Sequence, residues 1–211
     1  MIKRFCSYFL IWIIYIVPQQ AYGQDKWQRP IVVIDPGHGG TDSGAIGING
    51  IREKDVVFHI TMEILLLNRE MFGDSLEIYS TRYTDTLISL RNRTKLTNTL
   101  KPHAFLSIHC NGAIRRKAHG IEVYIKQSNR KAERLARLFT AGLSNKLGLK
   151  NRGIRFGDYQ VLRETGEFTS VLTELGFLSN IDEAEHISKE SSIVAYALLI
   201  LETLIKYVYH D

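Results

Sequence analysis

Four side chains, His38, Glu53, His109 and Glu174, combine the residue types that bind a divalent metal and move a proton. Two imidazoles and one carboxylate are the protein ligands of many catalytic zinc sites, in which a fourth position stays open for water. The spacing from His38 to Glu53 to His109 is too long for a zinc finger and suits a site assembled from separate elements. Each residue also has a plainer reading. A single histidine after a strand is commonly a hydrogen-bonded loop residue, Glu53 can complement the positive end of a helix dipole, and Glu174 can be an ion-pair partner. What favours a joint site is where the four fall relative to the elements that carry them.

Those elements read as alternating strands and helices. The apolar run Ile31-Val32-Val33-Ile34 ends at Asp35-Pro36-Gly37-His38, a buried strand followed by a turn. Glu53 opens a helix whose apolar positions Val56, Ile60, Ile64, Leu67 and Met71 recur in steps of three and four. Leu76 to Ser80 predicts a strand, Leu87 to Leu100 a helix, and Ala104 to Ile108 a strand ending at His109. Gly120 to Ile125 alternates as a strand, and Ala132 to Leu147 predicts a helix closed by Gly148. The stretch from Ile125 to Leu162 is accounted for by that helix and a loop, which carries the basic run Lys150-Asn151-Arg152-Gly153-Ile154-Arg155. Ser170 to Leu175 holds Thr173-Glu174 in a buried strand, and a last helix presents Val194, Ala197, Leu198, Leu201, Leu204, Ile205 and Val208 on one face. This order predicts an α/β fold: a three-layer domain with a central, largely parallel twisted sheet flanked by helices. Ligands of such sheets sit outside the carboxyl ends of the strands, where His38, His109 and Glu174 are expected.

Composition bounds the remainder. With 45% hydrophobic and 23% charged residues, the chain is an ordinary globular protein rather than a disordered, collagenous or coiled-coil one. Met1 to Arg4 carry two positive charges, Phe5 to Val17 form an apolar run broken by Pro18, and Ala21-Tyr22-Gly23 offers small residues for cleavage. Residues 1–23 therefore read as a secretory signal and residues 24–211 as the working domain, exported to the periplasm or medium. No stable membrane span is expected after cleavage. Without Lys3 and Arg4 there are 25 Lys and Arg against 22 Asp and Glu, so the formal charge falls from +5 to +3. Nucleic acid is not an expected partner of so mildly basic an exported domain. Cys6 lies in the signal, leaving Cys110 without a disulfide partner and expected to be buried.

Glycines in Gly37-His38-Gly39-Gly40 also expose backbone N–H groups to anions, but neither phosphate-loop spacing is present there. The segment Ile31 to Gly40, followed by Asp42, Gly44-Ala45, Gly50 and Glu53-Lys54-Asp55, resembles the opening of the zinc-dependent N-acetylmuramoyl-L-alanine amidases. Further blocks stand in the family's order: Thr81-Arg82 with Asp85, Leu90 and Arg93; Phe105 to Asn111; Gly120 to Tyr124; Val161-Leu162-Arg163; and Val171 to Asn180. The resemblance implies that His38, Glu53 and His109 hold one zinc ion per chain and that Glu174 is the catalytic carboxylate. It further implies hydrolysis of the amide joining N-acetylmuramic acid to L-alanine in peptidoglycan, by a zinc-activated water with Glu174 as general base. The chain departs from the family at Glu167-Phe168-Thr169-Ser170, where proline is common, and at His103 before Ala104. Between His109 and Gly120 there is no room for the helix with which some division amidases cover their own zinc, so an open site is expected, with any regulatory or targeting protein unidentified.

Among the motif residues Arg82, Asp85 and Arg93, an ion pair fixing the second helix is the expected role rather than substrate contact. The basic stretch Lys150-Asn151-Arg152-Gly153-Ile154-Arg155, in a loop before Val161, is a candidate to meet stem-peptide carboxylates, because cell-wall peptides are anionic. Two other readings stay open: a zinc carboxypeptidase acting on stem peptides, distinguished by its products, and a catalytically silent wall-binding module, distinguished by metal content and sacculus digestion.

Overall fold

Continuous apolar runs form strands here because both faces of the sheet are covered where they lie. The computed structural model describes residues 28–127 and 129–210, so the segment read as a signal falls outside the described residues. Strand β1 (Ile31–Pro36) leads through a long loop into helix α1 (Glu53–Glu70), followed by β2 (Glu77–Ser80), α2 (Leu90–Leu100), β3 (Ala104–Asn111) and β4 (Ile121–Ile125). The chain continues through α3 (Arg130–Leu147), β5 (Asn151–Phe156), α4 (Gln160–Arg163), β6 (Thr169–Phe177), α5 (Ile181–Ile187) and α6 (Glu190–Tyr209).

The strands form one sheet in the order β2-β1-β3-β6-β4-β5. All pairings are parallel except that of β4 with β6, so the β4–β5 pair runs against the others. The α/β, largely parallel architecture is therefore as expected. Strand β5 is a correction: most of the basic run expected in a loop lies in an edge strand, Asn151–Phe156, and Val161 itself belongs to the short helix α4. Its sequence, Asn-Arg-Gly-Ile-Arg-Phe, lacks the apolar run of the central strands because an edge strand is half open to water.

Pleating divides the sheet into unequal faces. Val32, Ile34, Leu106, Ile108, Val171 and Leu175 join the large core formed with α1, α3 and α6. On the opposite face Val33, Phe105 and Leu172 meet Val161 and Leu162 of the short α4 in a small cluster. By length and composition α6 could cross a membrane, but Ala197, Ile200, Leu201 and Leu204 are completely buried in the large core. Two residues expected on inner faces are not there. Met71 lies past the end of α1 and is 65% exposed, and Val194 in the first turn of α6 is 37% exposed. Helix α3 begins with the Asn129 side chain accepting from the Lys131 and Ala132 N–H groups and ends at Gly148 as predicted.

Candidate metal centre

His109 and Glu174 are register partners on β3 and β6, and Glu174 and Glu122 are partners on β6 and β4. Paired residues share a face, so His109, Glu174 and Glu122 form a row on the thinly covered side of the sheet. The loop after β1 brings His38 to the same place, and the first residue of α1, Glu53, closes the group.

The ligand atoms of His38, Glu53 and His109 all lie within 4.8 Å of one another. Glu53 Oε1 stands 3.1 Å from His38 Nε2 and 2.9 Å from His109 Nδ1, and it also accepts from the Cys110 N–H at 2.9 Å. Its other oxygen accepts from the Ala45 N–H at 2.8 Å. His38 Nδ1 is 2.8 Å from the Asp42 carboxylate, an arrangement that fixes the ring and leaves Nε2 aimed at Glu53. Gly44 lies against both ligands: a Cβ there would come within 2.5 Å of Glu53 Oε2 and His38 Cδ2.

These residues fit a metal ion. Donor atoms around tetrahedral zinc, with bonds of roughly 2.0–2.2 Å, lie about 3.3–3.6 Å apart, a few tenths of an ångström from the 3.1 Å and 2.9 Å that separate Glu53 Oε1 from the two imidazoles. The donor set is two imidazoles and one carboxylate, and Glu174 adds a buried carboxylate oxygen, Oε2, with no hydrogen-bond partner among the described residues. Burial is the main cause that lifts the Glu174 pKa to about 7, and the Glu53 and Glu122 charges add to it against the opposing pull of His109. Burial alone would also raise Glu53, yet the hydrogen bonds from His109 and His38 hold it well below the usual carboxylate range. Burial disfavours a charged His38, but Glu53 and Asp42 together outweigh it and raise its pKa to about 9. His109 is raised as well, burial being overcome by Glu53 and Glu174.

The loop carrying His38 is fastened from beneath. His38 adopts a left-handed backbone conformation, φ 59°, which costs a non-glycine residue about 1–3 kcal/mol. Arg93 of α2 donates to the His38 carbonyl at 2.6 Å, to the Pro36 carbonyl at 2.8 Å and to Asp35 Oδ1 at 2.7 Å. Arg82 donates to the carbonyls of Pro36, Gly37 and Lys54. Asp85 pairs with Lys54 at 2.7 Å. Thus Arg93 does dock the second helix through an ion pair, with Asp35 as its partner, whereas Asp85 and Arg82 secure the loop and the start of α1.

Beside His38 and His109 a cleft of about 550 Å³ runs between α2 and α4, with Leu90, Tyr159, Val161 and Leu172 in its walls. The cleft opens onto the side chains of His38 and His109, and Glu174 is the register partner of His109 on the same face of the sheet. Asp42 and Glu122 have no role legible in their sequence context beyond membership of recognised blocks; for Asp42 the one signal is its four-residue step from His38. Cys110 is buried and free. His59 and His119 are exposed and His186 is half-buried, and all three lie outside the group that could hold a metal.

Residues 32–206 match a family profile described as N-acetylmuramoyl-L-alanine amidase. A curated relative, the probable cell wall amidase LytH of Staphylococcus aureus, is 36% identical over 167 residues, which cover 78% of this chain and 54% of that protein. The chain spans about half the length of the curated relatives it matches. The solved catalytic domain of CwlV, an N-acetylmuramoyl-L-alanine amidase from Bacillus (Paenibacillus) polymyxa var. colistinus, is 34% identical with a TM-score of 0.77, covering 85% of this chain and 98% of that one. AmiC2 of Nostoc punctiforme, also an N-acetylmuramoyl-L-alanine amidase, is 30% identical with a TM-score of 0.78, covering 85% and 97%.

Proposed function

Because the chain belongs to the N-acetylmuramoyl-L-alanine amidase family, we propose that it hydrolyses the amide between the lactyl group of N-acetylmuramic acid and L-alanine in peptidoglycan. His38, Glu53 and His109 hold one zinc ion, and Glu174 is the general base. The observation that carries this reading is the meeting of His38, Glu53 and His109 on the face where Glu174 keeps an unpartnered carboxylate oxygen.

A zinc ion held by these ligands supplies Lewis acidity toward the amide carbonyl and lowers the pKa of water to about 7. The remaining steps belong to the protein's own groups. Glu174 Oε2 takes the proton of the attacking water and delivers it to the leaving nitrogen of L-alanine, and its pKa of about 7 suits both transfers. Asp42 holds the His38 ring at Nδ1. The cleft walls Leu90, Val161 and Leu172 shelter the lactyl side from water. Since the substrate lies outside the cytoplasmic membrane, the proposal includes export by residues 1–23, with residues 24–211 as the catalytic domain.

Digestion of purified sacculi followed by mass spectrometry tests the reading. Release of peptides with a new L-alanine amino terminus is expected. Peptides shortened from their carboxyl end would instead mark a zinc carboxypeptidase, and undigested sacculi a silent binding module. Glu174→Gln should keep one zinc per chain and lose about 100- to 10,000-fold in rate. His38→Ala and His109→Ala should lose the metal itself. A fully active Glu174→Gln protein overturns the assignment of the base.

A further inference from the structure

Arg152 and Arg155 are three residues apart on an edge strand, and in a regular strand an odd separation sends side chains to opposite faces. Here they share one. Ile121 of β4 pairs with Asn151 and Val123 with Ile154, so β5 advances three residues while β4 advances two. The additional residue is a bulge, and Gly153 within it has φ +92°, a conformation that glycine takes readily. The result is that Arg152 Nε and Arg155 Nε both reach Glu122 Oε1, at 2.6 Å and 3.2 Å. The other oxygen of Glu122 accepts from Asn111 Nδ2 at 3.1 Å and from the Tyr124 hydroxyl at 2.8 Å.

Two guanidiniums thus meet a single carboxylate whose side chain is only 5% exposed, leaving one positive charge in excess. The two arginines are not equivalent. Arg152 also lies over the Phe177 ring at 5.0 Å and donates to the His119 carbonyl. Arg155 is 44% exposed, and its contact with Glu122 is made through Nε, so the planar fork of terminal nitrogens is the part available to a ligand. Glu122 is register partner of Glu174, itself partner of His109. At about 4.8 Å per strand this puts Glu122 roughly 9–10 Å from the His109 column. An extended peptide covers that span in two to three residues at about 3.3–3.6 Å each.

Resting on the amidase reading, we propose that Arg155 binds a free carboxylate of the stem peptide, two to three residues beyond the scissile amide. It is a specificity residue: it favours substrates that carry an acid there over those that carry a carboxamide. Glu122 and the bulge hold the guanidinium toward the site, and Tyr124 and Asn111 hold Glu122.

Steady-state kinetics on matched synthetic substrates test this. One pair is muramoyl-L-alanyl-D-isoglutamate with its γ-carboxyl blocked as the methylamide and its α-carboxyl free or converted to the carboxamide, which confines the varied charge to the second residue. The other keeps the second residue as the α-carboxamide and adds a diaminopimelate whose proximal carboxyl is amidated and whose distal carboxylate is free or amidated, which confines it to the third. The wild-type enzyme should show a lower KM for the acid of one pair, and the pair that discriminates identifies the carboxylate. Arg155→Ala should raise KM for that acid by about 10-fold or more, the scale of a charge-assisted hydrogen bond, with kcat, zinc content and KM for the carboxamide unchanged. Arg155→Lys should restore part of the preference. Equal treatment of acid and carboxamide by the wild-type enzyme in both pairs overturns the proposal. So does an Arg155→Ala variant that loses kcat equally on every substrate, since that outcome assigns Arg155 to the support of Glu174. A wild-type enzyme that releases no L-alanyl peptide from any substrate overturns the amidase reading instead, and this inference with it.

Discussion

Glu174 and the two histidines all hold their protons more tightly than free side chains do, and this governs how the site responds to pH. The Glu174 pKa near 7 arises chiefly from burial, and a cation among His38, Glu53 and His109 draws it downward. The proposed base must be ionised, so kcat/KM should fall on the acid side with an apparent pKa at or below about 7, and Glu174→Gln should abolish that limb. Stability runs the other way in metal-free protein. A carboxyl whose folded pKa lies above its unfolded value binds its proton more tightly when native. Native stability is therefore lost as pH rises from about 4.5 through about 7. Metal-free Glu174→Gln should thus be about 1–3 kcal/mol more stable than wild type at pH 8, with the gap closing below pH 4.5, as urea unfolding in chelator would show. His38, raised to about 9, carries a proton at neutral pH when no metal is bound. Zinc bound at the proposed site would displace it, so calorimetry in buffers of differing ionisation enthalpy should record proton release at pH 7 that diminishes above pH 9.

At the scale of elements, the ligand loop depends on helix α2. Asp35 is 1% exposed and shares its charge with Arg93, Thr81 and Ser107. Removing Arg93 leaves that carboxylate buried and unpaired, at a cost of about 3–5 kcal/mol. Arg93→Ala should therefore lower stability by this amount in denaturant unfolding. Arg93→Lys is the finer probe: it keeps the charge but not the fork that holds the Pro36 and His38 carbonyls. We expect it to fold and to bind zinc at least 10-fold more weakly in chelator competition; unchanged affinity would show that the loop holds His38 without help. This dependence illustrates what was legible beforehand. The apolar runs of β1, β3 and β6 and the helical periodicity of α1, α3 and α6 announced themselves, and the rule that ligands sit at strand ends gathered His38, His109 and Glu174. Strand β5 was hidden because an exposed, bulged edge strand carries no apolar pattern. The reversal of β4 was hidden because burial on both faces looks alike in either direction. The loop fastening was hidden because hydrogen bonds from a side chain to distant carbonyls leave no periodic trace; Arg82 and Arg93 betrayed their positions only as family blocks.

Across the whole molecule the two sheet faces divide labour. Three long helices, α1, α3 and α6, bury one face in the large core, whereas the other is covered more thinly, by α2 and α4, and carries the row His109, Glu174, Glu122, with His109 lining the cleft. Stability and chemistry are thereby carried by opposite sides of the same strands, and perturbations of one should spare the other. Leu201 of α6 is completely buried, and Leu201→Ala should cost about 2–5 kcal/mol while zinc affinity stays unchanged under conditions where the native state dominates. Metal removal should do the converse. Ligand binding stabilises only the state that forms the site, and two of the three proposed ligands, His38 and Glu53, stand on or next to the loop between β1 and α1. Hydrogen exchange in chelator should therefore accelerate across residues 37–52 and leave β3, β6 and α6 as protected as in the zinc-loaded protein. If exchange rose equally in α6, zinc would be a keystone of the whole fold, and the large core would not be sufficient to hold the sheet.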